Sequence, residues 1–330
     1  MGKDYNQDIL QFWRTTTNTF TAKALAVFQR QYNFNPVYNQ YCNLLNIQAT
    51  QVKTLQDIPF LPISFFKTHP VITAKDPVQA EAIFTSSSTT GQNPSYHHVL
   101  SLKAYETSFI KGFTRQYGPA KNWVILALLP SYLERKGSAV VYMIQHLVAQ
   151  AQPPSGFYLN NIQALTKTLH ALEAKKQPTI LLGVSYALLD LVESDTFNLN
   201  HTIIMETGGM KGTRAEWTKH ALHHRLKKGF GVTQIHSEYG MTELLSQAYA
   251  KQDGVFECPP WMRVFTRDTE DPLTLINGHS GGLNVIDLAN YNACSFIATD
   301  DLAHLNPNGS FELLGRLDHS DIRGCNLLVV

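Results

Sequence analysis

The stretch that decides the fold reads TILLGVSYALLDLVESDTFNLNHTIIM and covers residues 179–205. It begins with the apolar run 179–182 (TILL) and ends with a second one, 202–205 (TIIM). Both runs are typical of buried strands, and residues 183–187 between them lie at a strand-to-helix junction. A strand, a helix and another strand in this order predict two parallel neighbours in one sheet.

The same alternation continues on the N-terminal side of this stretch. Residues 123–129 (WVILALL) form a further apolar run, and helical patterns at 138–151 and 165–176 follow it. Repeated strand and helix segments predict a largely parallel sheet with helices on its faces. Up to about residue 55, apolar side chains recur at helical spacing, which predicts amphipathic helices.

Beyond about residue 250 the segments become shorter. The pairs Asn277–Gly278, Gly281–Gly282 and Asn308–Gly309 are typical turn residues and predict hairpins in a small β-rich subdomain. The fold class that we expect is α/β, with mixed or parallel sheets flanked by helices. The predicted divisions are a helical segment at 1–60, an α/β core at 61–250, the β-rich subdomain at 251–314 and a terminal segment at 315–330.

Composition excludes several classes of protein. Lys and Arg number 27 against 26 Asp and Glu, so a formal net charge of +1 gives no field that would attract nucleic acid. No apolar run reaches the roughly 18 residues of a membrane-spanning helix. Residues 1–10 (MGKDYNQDIL) are too polar for a signal peptide, and we expect a cytoplasmic protein.

The cysteines and histidines do not suggest a zinc site. The four cysteines form no C-x-x-C pair, which also argues against a disulfide framework. The adjacent histidine pairs at 97–98 and 223–224 point in different directions on a strand or a helix, so neither pair shares one ion easily.

The most informative functional segment is FTSSSTTGQNPS, residues 84–95. Six consecutive hydroxyl residues, 85–90, follow an apolar pair and end at Gly91. Hydroxyl groups and backbone N–H groups in such a turn bind phosphate oxygens. A serine- and threonine-rich surface loop without a ligand explains the same composition.

Further segments place chemical groups after apolar runs. Residues 206–212 (ETGGMKG) form a glycine-rich turn at the carboxyl end of a strand, where open α/β sheets bind ligands. Residues 239–243 (YGMTE) offer an aromatic ring, a hydroxyl and a carboxylate, a set suited to a base, a phosphate and Mg²⁺. Residues 296–302 (FIATDDL) place carboxylates after a strand, and 314–325 (LGRLDHSDIRGC) contain two arginines and a thiol.

Together and in this order, these segments resemble the adenylate-forming superfamily of acyl-CoA synthetases, and most closely the acyl-protein synthetases of bacterial luminescence systems. Residues 86–91 resemble the S-S-G-T-T-G phosphate signature, with Ser88 in place of its glycine. The other matches are Y-G-x-T-E at 239–243, T-G-D-L at 299–302 and G-R-x-D at 315–318. The segment LPISFFK and the R-G-C ending point to the acyl-protein branch.

The resemblance implies an ATP and Mg²⁺ site with a role for each matching position. The residues that would bind the β- and γ-phosphates are Thr85, Ser86, Ser87, Ser88, Thr89, Thr90 and Gly91. Those that would line the adenine are Gly208, Gly209, Met210, Tyr239 and Gly240. Thr242 would contact the α-phosphate and Glu243 would hold Mg²⁺. Asp301 would accept from the ribose hydroxyls, with Arg316 nearby.

By resemblance, a fatty acid and ATP give an acyl-adenylate, and the thiol of Cys325 then takes the acyl group for an acyl reductase partner. A thiolate is the nucleophile that this transfer needs. A cysteine buried on a final apolar strand is the structural alternative. We expect the small C-terminal domain of the family to be missing or reduced to a stub, which leaves Lys67, Lys211 or a partner subunit to replace its catalytic lysine.

Three other functions stay open on the sequence. A coenzyme A-dependent or aryl acid ligase shares the motifs, and a non-catalytic nucleotide-binding or acyl-transfer partner would need no lysine. An α/β-hydrolase would use Ser185, in a segment one residue short of the G-x-S-x-G elbow. Its partners would be Asp300 and either His304 or His319.

Overall fold

A computed structural model of the chain describes residues 11–86, 93–129, 137–158, 161–208, 217–276 and 278–317. The α-helices in these ranges are α1 (Thr17–Phe34), α2 (Pro36–Leu44), α3 (Phe65–Thr68), α4 (Leu102–Tyr117), α5 (Ala139–Gln150), α6 (Ile162–Ala174), α7 (Ser185–Ser194) and α8 (Lys219–Phe230). The strands are β1 (Leu61–Pro62), β2 (Ala82–Thr85), β3 (Tyr96–Val99), β4 (Val124–Leu128), β5 (Gly156–Phe157), β6 (Thr179–Val184), β7 (Thr202–Thr207), β8 (His236–Tyr239), β9 (Ala248–Ala250), β10 (Val255–Glu257), β11 (Met262–Arg267), β12 (Leu275–Ile276), β13 (Ser280–Asp287), β14 (Phe296–Leu305) and β15 (Phe311–Arg316).

Strands β4 to β8 form the parallel part of a mixed sheet, in the order β5-β4-β6-β7-β8. Every residue of β4 and β6 is buried, so both faces of these strands are covered. Helix α5 packs against β4, and α7 packs against β6 and β7. The strands and helices predicted between residues 123 and 205 are therefore confirmed.

The sheet continues beyond β8 with antiparallel strands. Its order from there is β8-β9-β10-β15-β14-β13-β11-β12, and β1 pairs in parallel with β14. The β-rich part predicted after residue 250 extends the same hydrogen-bonded ladder. The expected fold class, α/β with a mixed sheet flanked by helices, is confirmed. The boundaries that we placed between segments stay predictions.

The glycine pair Gly281–Gly282 is not a turn, which corrects our expectation. Both residues lie inside β13, and a Cβ atom on Gly281 would lie 2.3 Å from the backbone carbonyl oxygen of Arg267 on β11. A Cβ atom on Gly282 would lie 2.7 Å from the guanidinium carbon of Arg267. Glycine is needed here for the close approach of a neighbouring strand. The Asn308–Gly309 turn is as expected and joins β14 to β15, with Gly309 at φ +85°.

The space beside these glycines holds the buried side chain of Arg267. Its guanidinium group donates to the carbonyl oxygens of Leu283 and Thr299, at 3.0 and 2.6 Å, and to Asn284 Oδ1 at 2.8 Å. A buried cation is tolerated where its donors are paired in this way. Since Thr299 precedes the carboxylates at 300 and 301, Arg267 fixes the strand that carries them.

A separate hairpin, β2 and β3, flanks the hydroxyl-rich stretch. Its register pairs Thr85 with Tyr96, so the stretch leaves one strand and returns to the other. The short helix α3 packs on β3, where Phe66 meets the ring of His97 edge-on with 5.7 Å between centroids. The hairpin is thus held at β3 by buried contacts.

The N-terminal helices pack on the segment that joins β13 to β14. Gln31 Nε2 donates to the carbonyl oxygens of Asn290 and Tyr291, each at 3.2 Å, and Gln31 Oε1 accepts from the Ser295 N–H. These buried amide bonds fix that segment in place. Among the described helices, none combines the length and the apolar character needed to cross a membrane.

The close approach at β13 predicts the effect of one added methyl group. Gly281→Ala is expected to lower the free energy of unfolding by about 1–3 kcal/mol, because its Cβ would overlap the Arg267 backbone. Urea denaturation measures the change. Gly112→Ala in α4 is the matched control, since its Cβ would meet nothing within 4 Å and alanine favours a helix. Equal stability of the two variants would contradict the strand approach described here.

Candidate active site

The two ends of the hydroxyl-rich stretch lie beside the turn at 239–243. His97 Nδ1 lies 2.8 Å from the carbonyl oxygen of Thr242. Since a carbonyl oxygen only accepts, the imidazole N–H is the donor. The neighbouring Ser95 side chain acts to lower the pKa of the Glu243 carboxyl group. The structure thus brings together two segments that the sequence assigns to one site.

Ser86 and Ser95 close the hydroxyl-rich stretch. The Ser86 N–H donates to the Ser95 carbonyl oxygen at 3.1 Å, and the Ser95 N–H donates to Ser86 Oγ at 2.8 Å. The Thr85 N–H donates to the Gly137 carbonyl oxygen at 2.8 Å. The other candidates of the stretch lie outside the described residues: Ser87, Ser88, Thr89, Thr90 and Gly91.

Glu243 is a buried carboxyl group beside the end of this loop. Burial raises its pKa, whereas the Ser95 hydrogen bond and the charge of Arg316 act in the opposite direction. Its backbone carbonyl accepts from Asn290 Nδ2 at 2.7 Å. The main chain at Glu243 is therefore held independently of its side chain, which leaves the carboxyl group available to a cation.

Tyr239, Asp301 and Arg316 form a second connected group. The Tyr239 hydroxyl donates to Asp301 Oδ2 at 2.8 Å, and Arg316 Nε lies 3.6 Å from Asp301 Oδ1. Burial raises the pKa of Asp301, and the tyrosine hydrogen bond and the arginine charge oppose that shift. The Arg316 side chain is 75% exposed, so it contributes little to stability but is open to an anionic ligand.

Gly208 begins the turn that follows β7. Its φ of +67° favours glycine. Its carbonyl oxygen accepts from Ser185 Oγ at 3.0 Å, and the same hydroxyl lies 3.2 Å from Glu206 Oε2. Ser185 therefore supports the start of the glycine-rich turn. The other candidate residues of this turn, Gly209 and Met210, lie outside the described residues.

These contacts do not favour the hydrolase alternative. A catalytic serine is activated by a histidine, but the Ser185 hydroxyl contacts a carboxylate and a carbonyl oxygen. Asp300 Oδ2 lies 3.9 Å from Arg316, and His304 Nδ1 lies 3.3 Å from Ser280 Oγ. The remaining partner candidate, His319, lies outside the described residues.

A buried ion pair stabilises the end of β7, from which the glycine-rich turn starts. Burial alone would raise the pKa of Glu206, but the Lys219 ammonium group, 3.0 Å from Glu206 Oε1, and a hydrogen bond from His223 lower it to about 2. The carboxylate stays ionised and paired, so the end of β7 is anchored to the first turn of α8.

Glu238 places a second buried carboxyl group directly behind the turn at 239–243. Burial raises its pKa to about 7, although a hydrogen bond from the Thr207 hydroxyl acts in the opposite direction. A Cβ atom on Gly240 would lie 2.6 Å from Glu238 Oε1. Glycine at this motif position therefore makes room for the carboxyl group.

Several residues that contact the candidate site are absent from the sequence-based candidates: Ser95, His97, Glu238 and Asn290. In the sequence, His97 stands out only as half of an adjacent histidine pair that does not share one ion easily. Its position in a strand directly after the hydroxyl-rich stretch was the available signal. Asn290 lies 47 residues beyond Glu243 and gives no local signal.

Comparisons with known proteins give a family and a fold. The family model for acyl-protein synthetase, LuxE, matches residues 12–330. The long-chain-fatty-acid–luciferin-component ligase of Vibrio harveyi is 22% identical to this chain, over 91% of this chain and 84% of its own length.

Two solved ligases share the fold. A 2-hydroxyisobutyryl-CoA ligase in complex with 2-HIB-AMP and CoA matches with a TM-score of 0.66 and 14% identity, over 93% of this chain and 72% of its own. ATP-bound MatB from Rhodopseudomonas palustris matches with a TM-score of 0.54 and 17% identity, over 74% of this chain and 50% of its own.

The buried Glu238 carboxyl group predicts a pH-dependent loss of stability. Its pKa of about 7 in the folded chain lies above the ordinary glutamate value of 4.5. The folded state therefore holds the proton more tightly, and the resulting stability is present below pH 4.5 and lost as pH rises through 7. Glu238→Gln removes this loss. Between pH 5 and pH 8, the free energy of unfolding of this variant is expected to rise by up to about 3 kcal/mol relative to that of the unaltered chain.

Urea denaturation of both chains at the two pH values measures the difference. Glu270→Gln, at an exposed position, is the matched control and is expected to show no such gain. A pH-independent difference between Glu238→Gln and the unaltered chain would refute the raised pKa.

Proposed function

This chain belongs to the acyl-protein synthetase family, and we propose that it activates a fatty acid with ATP and transfers the acyl group to the thiol of Cys325. The family resemblance found in the sequence is confirmed by the match over residues 12–330. The observation that carries the proposed site is the hydrogen bond between His97, which follows the hydroxyl-rich stretch, and the Thr242 carbonyl oxygen, because it joins the two motifs that would hold one nucleotide.

In the first step, a carboxylate oxygen of the fatty acid attacks the α-phosphorus of ATP. The bond from that phosphorus to the bridging oxygen breaks, and pyrophosphate leaves with the electron pair. Because two anions must meet, the rate depends on positioning and on donors placed at the developing charge. We assign the β- and γ-phosphates to the stretch from Thr85 to Gly91, and the α-phosphate to the Thr242 hydroxyl.

The remaining contacts would orient the nucleoside. Asp301 is already a hydrogen-bond acceptor for Tyr239, and its second oxygen faces the exposed Arg316. A carboxylate in this position suits the two ribose hydroxyls. The adenine would lie between Tyr239–Gly240 and the turn that begins at Gly208. Gly240 is exposed, so a base can approach its backbone closely.

The residues present fit a Mg²⁺ ion bound together with ATP. Mg²⁺ takes one or two carboxylates and completes its octahedron with phosphate oxygens and waters. Within the part of the chain that the structure describes, no group of three His, Cys, Asp or Glu side chains could hold a metal ion by itself, so Glu243 would be the principal protein ligand beside the phosphate oxygens. When bound, Mg²⁺ neutralises phosphate charge, and a dication beside Glu243 favours the ionised form of this buried group.

In the second step, the Cys325 thiolate attacks the acyl carbon of the adenylate. The bond from that carbon to the AMP oxygen breaks, and AMP leaves as the thioester forms. Cys325 lies outside the described residues, but the other three cysteines support its assignment. Burial raises the pKa of Cys42 and of Cys258 to about 12, and it raises that of Cys294 as well. Such thiols hold almost no thiolate near neutral pH.

The acyl group on Cys325 would then pass to a reductase, which is the partner that we propose, in the cytoplasm. A ligase that uses free coenzyme A, or an aryl acid, remains the second candidate for the same fold. A non-catalytic nucleotide-binding or acyl-transfer partner is the third. The measurements below separate these possibilities.

Exchange of labelled pyrophosphate into ATP tests the first step. The purified chain with Mg²⁺ and a panel of acids is expected to exchange label best with long-chain fatty acids. Glu243→Gln keeps the size of the side chain but loses its charge, so the exchange rate is expected to fall by about 100-fold or more. Glu270→Gln is the matched control. If the folded chain exchanges no label with any acid, the proposed adenylation activity is excluded.

Mass spectrometry of the chain after incubation with fatty acid and ATP tests the second step. An acyl adduct is expected on the peptide that contains Cys325. Cys325→Ser is expected to abolish the thioester while the exchange reaction continues, because adenylation precedes transfer. Cys258→Ser is the matched control and is expected to retain both the thioester and the exchange reaction. An unmodified Cys325 together with an acyl-CoA product would assign the chain to the coenzyme A-dependent ligases.

A further inference from the structure

We infer that His97 is a positioning residue for adenylation: its Nδ1–H bond to the Thr242 carbonyl oxygen holds the Tyr239–Glu243 turn against β3, the strand that follows the hydroxyl-rich stretch in sequence. This inference rests on the proposed function, because it assigns the α-phosphate to Thr242. His97 would not touch the substrate itself. It would fix Thr242, which follows β8 of the large sheet, relative to the separate hairpin of β2 and β3.

The surroundings of His97 fix its tautomer. Nδ1 faces a carbonyl oxygen at 2.8 Å and must carry the proton. Nε2 is buried and makes no hydrogen bond of normal geometry among the described residues, although the Asn290 side chain lies close enough to act on the pKa of the ring in the raising direction. Burial lowers the pKa of the ring to about 4, so the imidazole is neutral at physiological pH. Its neutral tautomer is therefore Nδ1–H, with a lone pair on Nε2.

A histidine is a costly choice at this buried place. The ring packs edge-on against Phe66 and is 1% exposed, so an apolar side chain would fill the same space without burying two ring nitrogens. The compensating contact is the bond to Thr242. Packing alone therefore does not explain why this position carries an imidazole.

The bond between His97 and Thr242 joins the β2–β3 hairpin to the turn that follows β8. Thr242 and Glu243 expose consecutive carbonyl groups, and each accepts from one side-chain donor, His97 and Asn290 respectively. Asn290 belongs to the connection between β13 and β14. His97 belongs to the hairpin that bears the hydroxyl-rich stretch. Its bond fixes Thr242 relative to β3, whereas the Asn290 bond fixes Glu243 relative to the sheet.

Two amide substitutions distinguish the effect of the hydrogen-bond donor from the effect of the size of the ring. The amide nitrogen of His97→Asn comes close to the place of Nδ1, and that of His97→Gln comes close to the place of Nε2. We expect His97→Asn to keep kcat for pyrophosphate exchange within about threefold. We expect His97→Gln and His97→Ala to lower kcat by about 30-fold or more, with a smaller change in KM for ATP, because misplacement by about 1 Å costs up to roughly 100-fold.

The neighbouring His98→Asn and His98→Gln serve as the control pair. His98 lies next to His97 on β3 and points to the other face of the hairpin, so its two variants are expected to have equal rates. Near-UV circular dichroism and the melting temperature establish that each variant is folded. If His97→Asn and His97→Gln lose activity equally while folded, the donor has no role and the inference is overturned.

A measurement without catalysis keeps this inference separate from the proposed function. In full-length protein labelled with ¹⁵N-histidine, one ring is expected as the Nδ1–H tautomer down to about pH 5, and this signal should vanish in His97→Asn. An Nε2–H tautomer for His97 would overturn the positioning role even in an active enzyme. Absence of exchange in the unaltered chain, with the Nδ1–H tautomer present, would instead remove the proposed function and leave the His97 contact standing.

Discussion

The arrangement of the candidate site depends on a buried carboxylate, Asp287, at the end of β13. It accepts from the backbone N–H groups of Leu245 and Ser246, each at 2.9 Å, from Ser246 Oγ at 2.6 Å, and from the Ala289 N–H at 3.0 Å. A charge removed from water is tolerated only with such complete pairing. Asp287 thereby ties the chain just after Glu243 to the antiparallel half of the sheet.

The contacts on either side of Asp287 extend this constraint. Asn290, three residues on, holds the Glu243 carbonyl, and Gln31 holds the segment from Asn290 to Ser295 against α1. The N-terminal helices therefore take part in placing a carboxyl group that lies more than 200 residues away in sequence. Because the donors and acceptors are buried and paired, the turn that would bind the nucleotide is formed before any ligand arrives.

The sequence predicted the parallel strands and the motif order because both depend on local patterns. Apolar runs at 123–129 and 179–182 are long enough to specify buried strands, and the Y-G-x-T-E segment carries its own chemistry. The same reasoning was wrong for Gly281 and Gly282, which it placed in a turn and which lie inside β13. Their role depends on Arg267, which approaches from another strand, and a local pattern cannot distinguish such a contact from a turn. His97 and Asn290 were missed for the same physical reason.

The two glycines of β13 and the guanidinium group beside them also constrain how relatives of this chain can diverge. Arg267 reaches the backbone just before the Asp300–Asp301 pair, and its charge acts on both carboxylates. A larger residue at either glycine would displace the arginine and so disturb the acidic strand on its far side. In an alignment of homologues, positions 267, 281, 282 and 301 should accordingly covary, although they belong to three different strands and only the last is assigned a ligand.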